Sequence, residues 1–528
     1  MQASHPPLVR TRLSAMMFLE FFIWGSWGVA ITGYGNSLNF TGSQLGWLGA
    51  VAAIGAIISP LFVGLIADRF FAAQKVLGVL HLLGGACLIA AGFQTEFLPL
   101  MTLMLLNGLA FMPTIALANS VAFRHIPDPD KFPRIAVLGT IGWIAAILIA
   151  QVFLGGATSR NFLFLGGGGG IALALYALTL PDTPPKGAEA GGDVFGLSAL
   201  KLLKEPSFLV FVVCVFLFCI PACGYFFVLM VPMLQQRGYP SPLGLTSLNQ
   251  FAEIIFMFSM PWFVAKLGLK RVLMIGMLAW AVRYLCFACP EFSSALIGLI
   301  LHGFCYSFFY VGAYMWVDRR APAELKSSAQ SLLAFLLLGV GYFLGAKGAG
   351  LMMDRFPPAI PTMAAVDVEK GEAVAEAKLP RWDDPNANPT WGYLNLSATV
   401  SDLIKGKDEE AKPKLDLGQQ LDTDKNGLTL TEVEAIPDTG LEVDGLRYSR
   451  EDMIDVFNRM AALRPADQEA EDPVRLTRKE WLKAQSCDWM PIWIWPSILL
   501  FVLLVVFAVG FRDKEESQTQ QPAEDEES

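Results

Sequence analysis

The chain has 528 residues, of which 54% are hydrophobic and 16% charged, with a mean hydropathy of +0.47. This balance excludes a water-soluble globular protein and indicates a polytopic membrane protein. The net charge of −9 identifies no partner, because the acid concentrates in one late polar stretch and in the tail 514–528, which has the composition of disorder.

Twelve apolar runs are long enough to cross a bilayer as helices, at roughly 13–36, 43–68, 75–94, 97–122, 134–154, 161–180, 207–233, 246–266, 271–289, 293–317, 328–352 and 490–511. No small-residue cleavage site follows the first run, so it is expected to serve as its own uncleaved signal. Lys and Arg crowd one set of connections, among them Arg10, Arg12, Arg69, Lys75, Arg124, Lys131, Arg134, Lys201, Lys204, Lys270, Arg271, Arg319 and Arg320. The opposite short loops carry only Arg160 and Arg237. The asymmetry predicts cytoplasmic termini, and the expected location is the cytoplasmic (inner) membrane. Seven of the eight cysteines fall inside the runs and act as small apolar residues; no disulfide or zinc pattern is expected.

The first run holds Glu20, followed by Trp24-Gly25-Ser26-Trp27. Glu20 lies roughly 15 Å into its helix. It is either a cavity carboxylate or a hydrogen-bonding partner for a neighbouring helix. Pro60-Leu61-Phe62-Val63 in the second run matches Pro261-Trp262-Phe263-Val264 in the eighth, so the chain divides into two parallel six-helix halves. The N-terminal half covers 1–184, a cytoplasmic linker 185–205, and spans seven to eleven 206–354. Pro113 interrupts the fourth run, and five glycines, Gly166–Gly170, favour close helix approach in the sixth.

The eighth run, Thr246–Gly268, carries Gln250 and Glu253 inside apolar sequence. They are three apart and share a helix face. A carboxylate in hydrocarbon is costly, so Glu253 is expected to serve a cavity, a proton path or an ion pair. Arg283 lies at similar depth in the next run and is its candidate partner. His302 sits near the middle of the tenth run, as a packed hydrogen-bonding residue or a proton carrier.

Residues 355–489 separate spans eleven and twelve and form an additional soluble insert, expected on the outer side and mainly α-helical. Within it, Asp422-Thr-Asp424-Lys-Asn426-Gly427 resembles an EF-hand calcium loop, with Glu432 closing it one residue early. Leu476–Glu480 repeats the exit pattern of Leu428–Glu432 without good upstream ligands. Asp422, Asp424, Asn426 and Glu432 are the candidate Ca2+ ligands; the alternative is an acidic turn that binds no metal. Span twelve follows at 490–513.

Gly64–Lys75, with Asp68-Arg69, resembles the cytoplasmic gating loop of the major facilitator superfamily. WGSW at 24–27, MPTIALANS at 112–120, FPRIAVLGTIGW at 132–143, Gln250-x-x-Glu253, the stretch around Arg283 and VDRRAPAELKSSAQ at 317–330 resemble bacterial nucleoside:proton symporters of that superfamily. The resemblance implies an all-α fold of twelve transmembrane helices, with a nucleoside-like solute and protons as partners. It implies substrate contacts at Thr140, Trp143, Gln250, Glu253 and Tyr306, with His302 standing where a Tyr is usual and Glu253 coupling to the proton. The chain departs from the pattern at Ala136, where an Arg is usual, at Ser307, where an Asp is usual, and at Phe226–Val231, which lacks a polar pair.

The expected function is proton-coupled uptake of nucleosides or related small polar solutes by alternating access. The alternative is a sensor or adaptor that signals through its calcium-binding insert. No nucleophile–base pair or nucleotide fingerprint points to an enzyme, and no nucleic-acid partner is expected.

Overall fold

An apolar segment in a bilayer has no water to satisfy its backbone, so it bonds internally as a helix. The computed structural model describes residues 7–69, 71–126, 132–185, 196–382, 416–422, 424–464 and 473–511, without the side chains of 7, 8, 59–69 and 133. In the N-terminal half the helices are α1 (Pro7–Trp27), α2 (Ala30–Ser37), α3 (Gly42–Arg69), α4 (Ala73–Ala91), α5 (Phe97–His125), α6 (Pro133–Phe153) and α7 (Asn161–Ala177). The second half begins with α8 (Pro206–Gln236), the short α9 (Pro242–Leu245), α10 (Ser247–Leu267) and α11 (Leu269–Ala288). Its next rod, Phe292–Arg320, joins α12 (Phe292–Ile300), α13 (His302–Phe304), a π-helical segment Cys305–Val311, and α14 (Gly312–Arg320). The rod after it joins α15 (Lys326–Ala334), a second π segment Phe335–Gly341, and α16 (Tyr342–Arg355). Among the described residues, ten helices are long and apolar enough to cross a membrane, and Gly42–Ile58 and Asn161–Ala177 are shorter apolar helices.

Glycines set where the helices touch. A Cβ at Gly85 would lie 2.8 Å from Gly167 O, so part of the glycine run of α7 lets α4 approach backbone to backbone. Gly42 and Gly350 exclude any side chain between α3 and α16, and Gly46 lies against Ala346. Ser43 donates from its backbone N–H to Asp354 Oδ2 at 2.8 Å beside this contact. Gln151 Oε1 accepts from Gly244 N–H at 3.2 Å, and Thr32 Oγ1 donates to Phe227 O at 3.0 Å. These contacts join the two halves toward the bundle end where the chain leaves after Asp354. Toward the other end, the described hydrogen bonds of Arg12, Gln74, Arg124 and His125 run within the first half and to 179–184.

Arg355–Trp489, together with Met233–Ser241, forms a separate compact unit. The expectation of a mainly α insert is corrected here: it is mixed. Its strands are β1 (Met363–Asp367), β2 (Ala373–Ala377), β3 (Leu428–Thr429), β4 (Leu441–Val443), β5 (Leu446–Tyr448) and β6 (Arg475–Leu476). Four form an antiparallel sheet in the order β2-β1-β5-β4, and β3 pairs with β6. The reason is local: Asp444-Gly445, both at positive φ, make the tight turn that joins β4 to β5. The helices here are α17 (Leu417–Gln420), α18 (Leu430–Glu434), α19 (Arg450–Ala461) and α20 (Arg478–Ala484). The fully buried Trp481 donates from Nε1 to Pro380 O at 3.0 Å and packs its ring 5.9 Å from Trp382. The unit's entry and exit are bonded together, Ile360 N–H to Ala484 O at 2.9 Å and Asp488 N–H to Phe356 O at 3.1 Å. The last membrane helix is α21 (Trp489–Gly510).

α18 and α20 begin alike. Thr429 and Thr477 each cap a helix whose third residue, Glu432 or Glu480, reaches back to the cap. Glu480 also accepts from Arg464 Nε at 2.8 Å. Burial raises the Glu480 pKa, but the Thr477 and Arg464 bonds outweigh it and hold the carboxyl below its ordinary 4.5. A depressed carboxylate stabilises the fold above its unfolded pKa and loses that contribution as pH falls through its folded pKa. Glu480→Gln is therefore expected to lower hydrogen-exchange protection of the α20 amides at neutral pH. The gap from wild type should close as pH drops below 4.5 and the wild-type carboxyl protonates.

Candidate functional site

The WGSW motif has a packing cause. A Cβ at Gly25 would lie 2.7 Å from Trp143 Cα, and Gly142 lies against Phe18 O, so α1 and α6 cross at backbone distance. The crossing sets Trp24 edge-on to Trp143, ring centroids 5.3 Å apart. Thr140 is one turn from Trp143 on the same face, half-buried. Trp24 also stacks on Phe227 of α8 at 6.4 Å, and Phe227 stacks on Tyr342 at 5.0 Å. Phe226 stacks on His302 at 5.0 Å, His302 lies 6.3 Å from Tyr306, and Tyr306 stacks on Tyr310. Phe226 and Phe227 touch at 4.9 Å, so an aromatic line runs from α6 across both halves to the tenth span.

α10 runs beside this line. Gly303 lets the tenth span approach Ala252 O, and Ser307 Oγ donates to Glu253 O at 3.4 Å. Gln250 is buried, and its Oε1 has no partner; Trp24 Nε1 and Trp143 Nε1 are likewise buried and unpaired. Buried polar atoms are normally hydrogen-bonded, and Trp27 Nε1 and Trp280 Nε1 are likewise unpaired among the described residues; of these atoms, those of Trp24, Trp143 and Gln250 lie on the elements that meet between the halves.

Arg283 is not paired with Glu253, contrary to expectation. Fully buried, it donates from Nε to Gly298 O at 2.9 Å, from one terminal nitrogen to His302 Nδ1 at 3.0 Å, and from the other to Asn249 Oδ1 at 3.2 Å. Its guanidinium lies 5.1–5.3 Å from the ring centroids of Trp280, Phe287 and Phe226. A guanidinium only donates, so Nδ1 of His302 accepts and the imidazole there carries its proton on Nε2. Asn249, one turn before Glu253, takes the role expected of the carboxylate. Glu253 is half-buried, with no side-chain hydrogen bond or ion pair among the described residues.

Trp143, Gln250, Glu253, His302 and Tyr306 therefore lie on touching elements. Trp24, Phe227, Tyr342 and Asn249 join them, and of these only Trp24, through WGSW, carries a motif visible in the sequence. Tyr306 and Ser307 sit in a π segment, whose widened turn often accompanies function. Asp68 and Arg69 end α3, and their side chains lie outside the described residues.

The insert's acidic loop is ordered by its own backbone. Asp422 Oδ1 accepts from Gly427 N–H at 3.1 Å, Asp424 Oδ1 from Asn426 N–H at 3.1 Å, and Gly427 has a φ of +101°. Glu432 Oε2 instead accepts from Thr429 N–H at 2.7 Å and Thr429 Oγ1 at 2.6 Å. Asn426 Nδ2 donates to Asp424 Oδ2 at 3.1 Å, Glu432 stays in its helix cap, and among the described residues no group of three or more His, Cys, Asp or Glu side chains is placed to hold a metal ion.

The model of the family described as nucleoside H+ symporter matches residues 8–360. The chain belongs to that family. It is 42% identical over 360 residues to the putative nucleoside transporter YegT of Escherichia coli, covering 65% of this chain and 84% of that one. It is 32% identical over 377 residues to the xanthosine permease of the same organism, covering 66% and 88%. Among solved structures, a crystal structure of the nucleoside transporter NupG is similar, with a TM-score of 0.59, 25% identity, and coverage of 66% of this chain and 92% of that one. The fold is thus that of a major facilitator transporter, and the family is one of transporters, not enzymes. The family match ends at residue 360, so nearly all of the insert lies beyond it.

Within this member of the nucleoside H+ symporter family, Asn249 holds the buried cation in place. Asn249→Ala would strip Arg283 of one acceptor in a dry site, at a cost of about 1–3 kcal/mol. A lower thermal midpoint in detergent is the expected reading, with Asn249→Asp less affected than Asn249→Ala because it restores an acceptor.

Proposed function

We propose that the chain is a secondary active transporter that takes up nucleosides or related small polar solutes together with protons, by alternating access. Membership of the nucleoside H+ symporter family carries this reading, and the unpaired Trp24, Trp143 and Gln250 atoms support it. The base would lie along the aromatic line, where stacking adds roughly 0.5–1.5 kcal/mol per ring pair beyond burial. Thr140, Trp143, Gln250, His302 and Tyr306 would contact the solute. Glu253, without a fixed partner, would take the coupling proton. Phe226 and Phe227 supply ring faces where a polar pair is usual, so recognition would rest on stacking more than on ribose hydrogen bonds. The sensor alternative gains no support from the relatives.

The excess of Lys and Arg on one side supports a cytoplasmic-membrane orientation with both termini inside and residues 355–489 outside. In that orientation the cross-half bonds close the outer end, and the site would open to the cytoplasm. Asp68 and Arg69 would then serve the cytoplasmic gate.

In proteoliposomes, Glu253→Gln should lose proton-driven accumulation of labelled nucleoside and keep exchange. Accumulation like that of wild type would remove Glu253 from coupling.

For the insert, we propose weak Ca2+ binding at Asp422, Asp424 and Asn426, with a dissociation constant of roughly 0.1–1 mM. Calcium titration of the full chain, followed by calorimetry, should give heat that Asp422→Ala abolishes. Equal heats from the two proteins, or none from either, would leave only an acidic turn.

A further inference from the structure

A second polar cluster lies in the N-terminal half, apart from the aromatic line. Glu20 of α1 is fully buried, and its Oε2 lies 2.8 Å from Nε2 of His81 on α4, itself 2% exposed. Its other oxygen, Oε1, accepts from Thr114 Oγ1 of α5 at 2.6 Å. Asn107 of α5 lies two turns before Thr114, 1% exposed, with neither amide atom hydrogen-bonded. Its Oδ1 faces α4 at Gly84, one turn from His81; a Cβ there would lie 3.2 Å away. One carboxylate, one imidazole, one hydroxyl and one unsatisfied amide are thus buried among three helices.

Among the described residues, no other charged side chain is bonded to this pair. On the packed helices the further titratable groups are Arg10 and Arg12 of α1, Asp68 and Arg69 of α3, Lys75 and Cys87 of α4, Arg124 and His125 of α5, Arg134 of α6 and Tyr176 of α7. Each is at least six residues along the chain from Glu20, His81 or Thr114 on its own helix, or belongs to another helix. Four of them bond elsewhere: Arg12 to Thr179 O, Arg124 to Pro184 O, His125 to Val121 O and Asp182 O, and Tyr176 to Arg12 O. The pair is neutral with one shared proton and carries a net −1 without it. An unpaired negative charge buried away from water is costly.

The pocket is wired to the solute site through rings. Phe111 lies 5.8 Å from the His81 ring and 6.1 Å from Trp24, and Trp24 touches Trp143 and Phe227. Trp24 is also one turn from Glu20. Movement of α1 against α8 as access alternates would shift these contacts together.

We infer that Glu20 and His81 form a second proton-binding site in the N-terminal half, loaded from one aqueous side and emptied to the other during each transport cycle. This inference rests on the proton-coupled transport proposed above. The proton enters as H+ from water onto the pair and leaves to water, with no other bond made or broken. Thr114 and Asn107 are positioning residues; Thr114 orients the carboxylate, and Asn107 offers a polar contact to entering water.

The test uses the full chain in proteoliposomes, with a pH-sensitive dye inside to read uridine-driven proton entry and labelled uridine to read counterflow. In Glu20→Gln and His81→Gln, counterflow should persist, its pH profile should flatten, and protons moved per uridine should fall several-fold. If wild type moves uridine without protons, the proposed function and this inference fall together. If wild type couples and both variants match its proton ratio and pH profile, only the second site falls. Loss of counterflow in both variants would make the pair a structural clasp and overturn the proposal.

Discussion

A guanidinium with no exposure sits in the C-terminal half, and its surroundings dictate much of that half. In a low-dielectric interior an unpaired cation is costly, so Arg283 must be met by acceptors and ring faces. Gly298 O, His302 and Asn249 supply the acceptors, and Trp280, Phe287 and Phe226 supply the rings. This fixes α10, α11 and the tenth span to one another. It also fixes the tautomer of His302 and commits one face of Phe226. Glu253 is left out of the arrangement. A carboxylate so placed is free to respond to a solute or a proton without dismantling the helix packing around it.

The same accounting separates structural polar groups from open ones. Tyr284 Oη donates to Pro221 O at 2.7 Å, and Ser497 Oγ donates to Ala281 O at 2.8 Å; both bonds tie helices and are complete. Trp24, Trp143 and Gln250 keep open atoms, and they lie where the two halves meet. Satisfied polar atoms such as those of Tyr284 and Ser497 hold helices together, whatever the residue type.

Much of the membrane part was legible in the sequence. Apolar length located the spans, and Gln250-x-x-Glu253 pointed to the helix that runs beside the aromatic line. What could not be read was pairing across helices. Glu253 and Arg283 stand at equal distances from Gly268, and depth alone favoured their bridge; the rotation of α10 instead presents Asn249. The π segments at 305–311 and 335–341 have no sequence rule of comparable strength. The strands of the insert were partly readable, since Val443-Asp444-Gly445-Leu446 is a turn signal. β1 pairs with its near neighbour β2, but its pairing with β5, Val366 to Arg447, joins segments too far apart along the chain for a local pattern to reveal.

The paired bonds at the neck of the insert bear on how such a chain could arise. Ile360 bonds to Ala484, and Phe356 to Asp488, so more than a hundred residues begin and end at nearly the same point. A module whose ends coincide can be spliced into a short turn without respacing the elements on either side. Seen from the membrane helices, the long excursion is equivalent to a hairpin. The two parts could then vary at independent rates, one constrained by cargo and the other by whatever it meets in water.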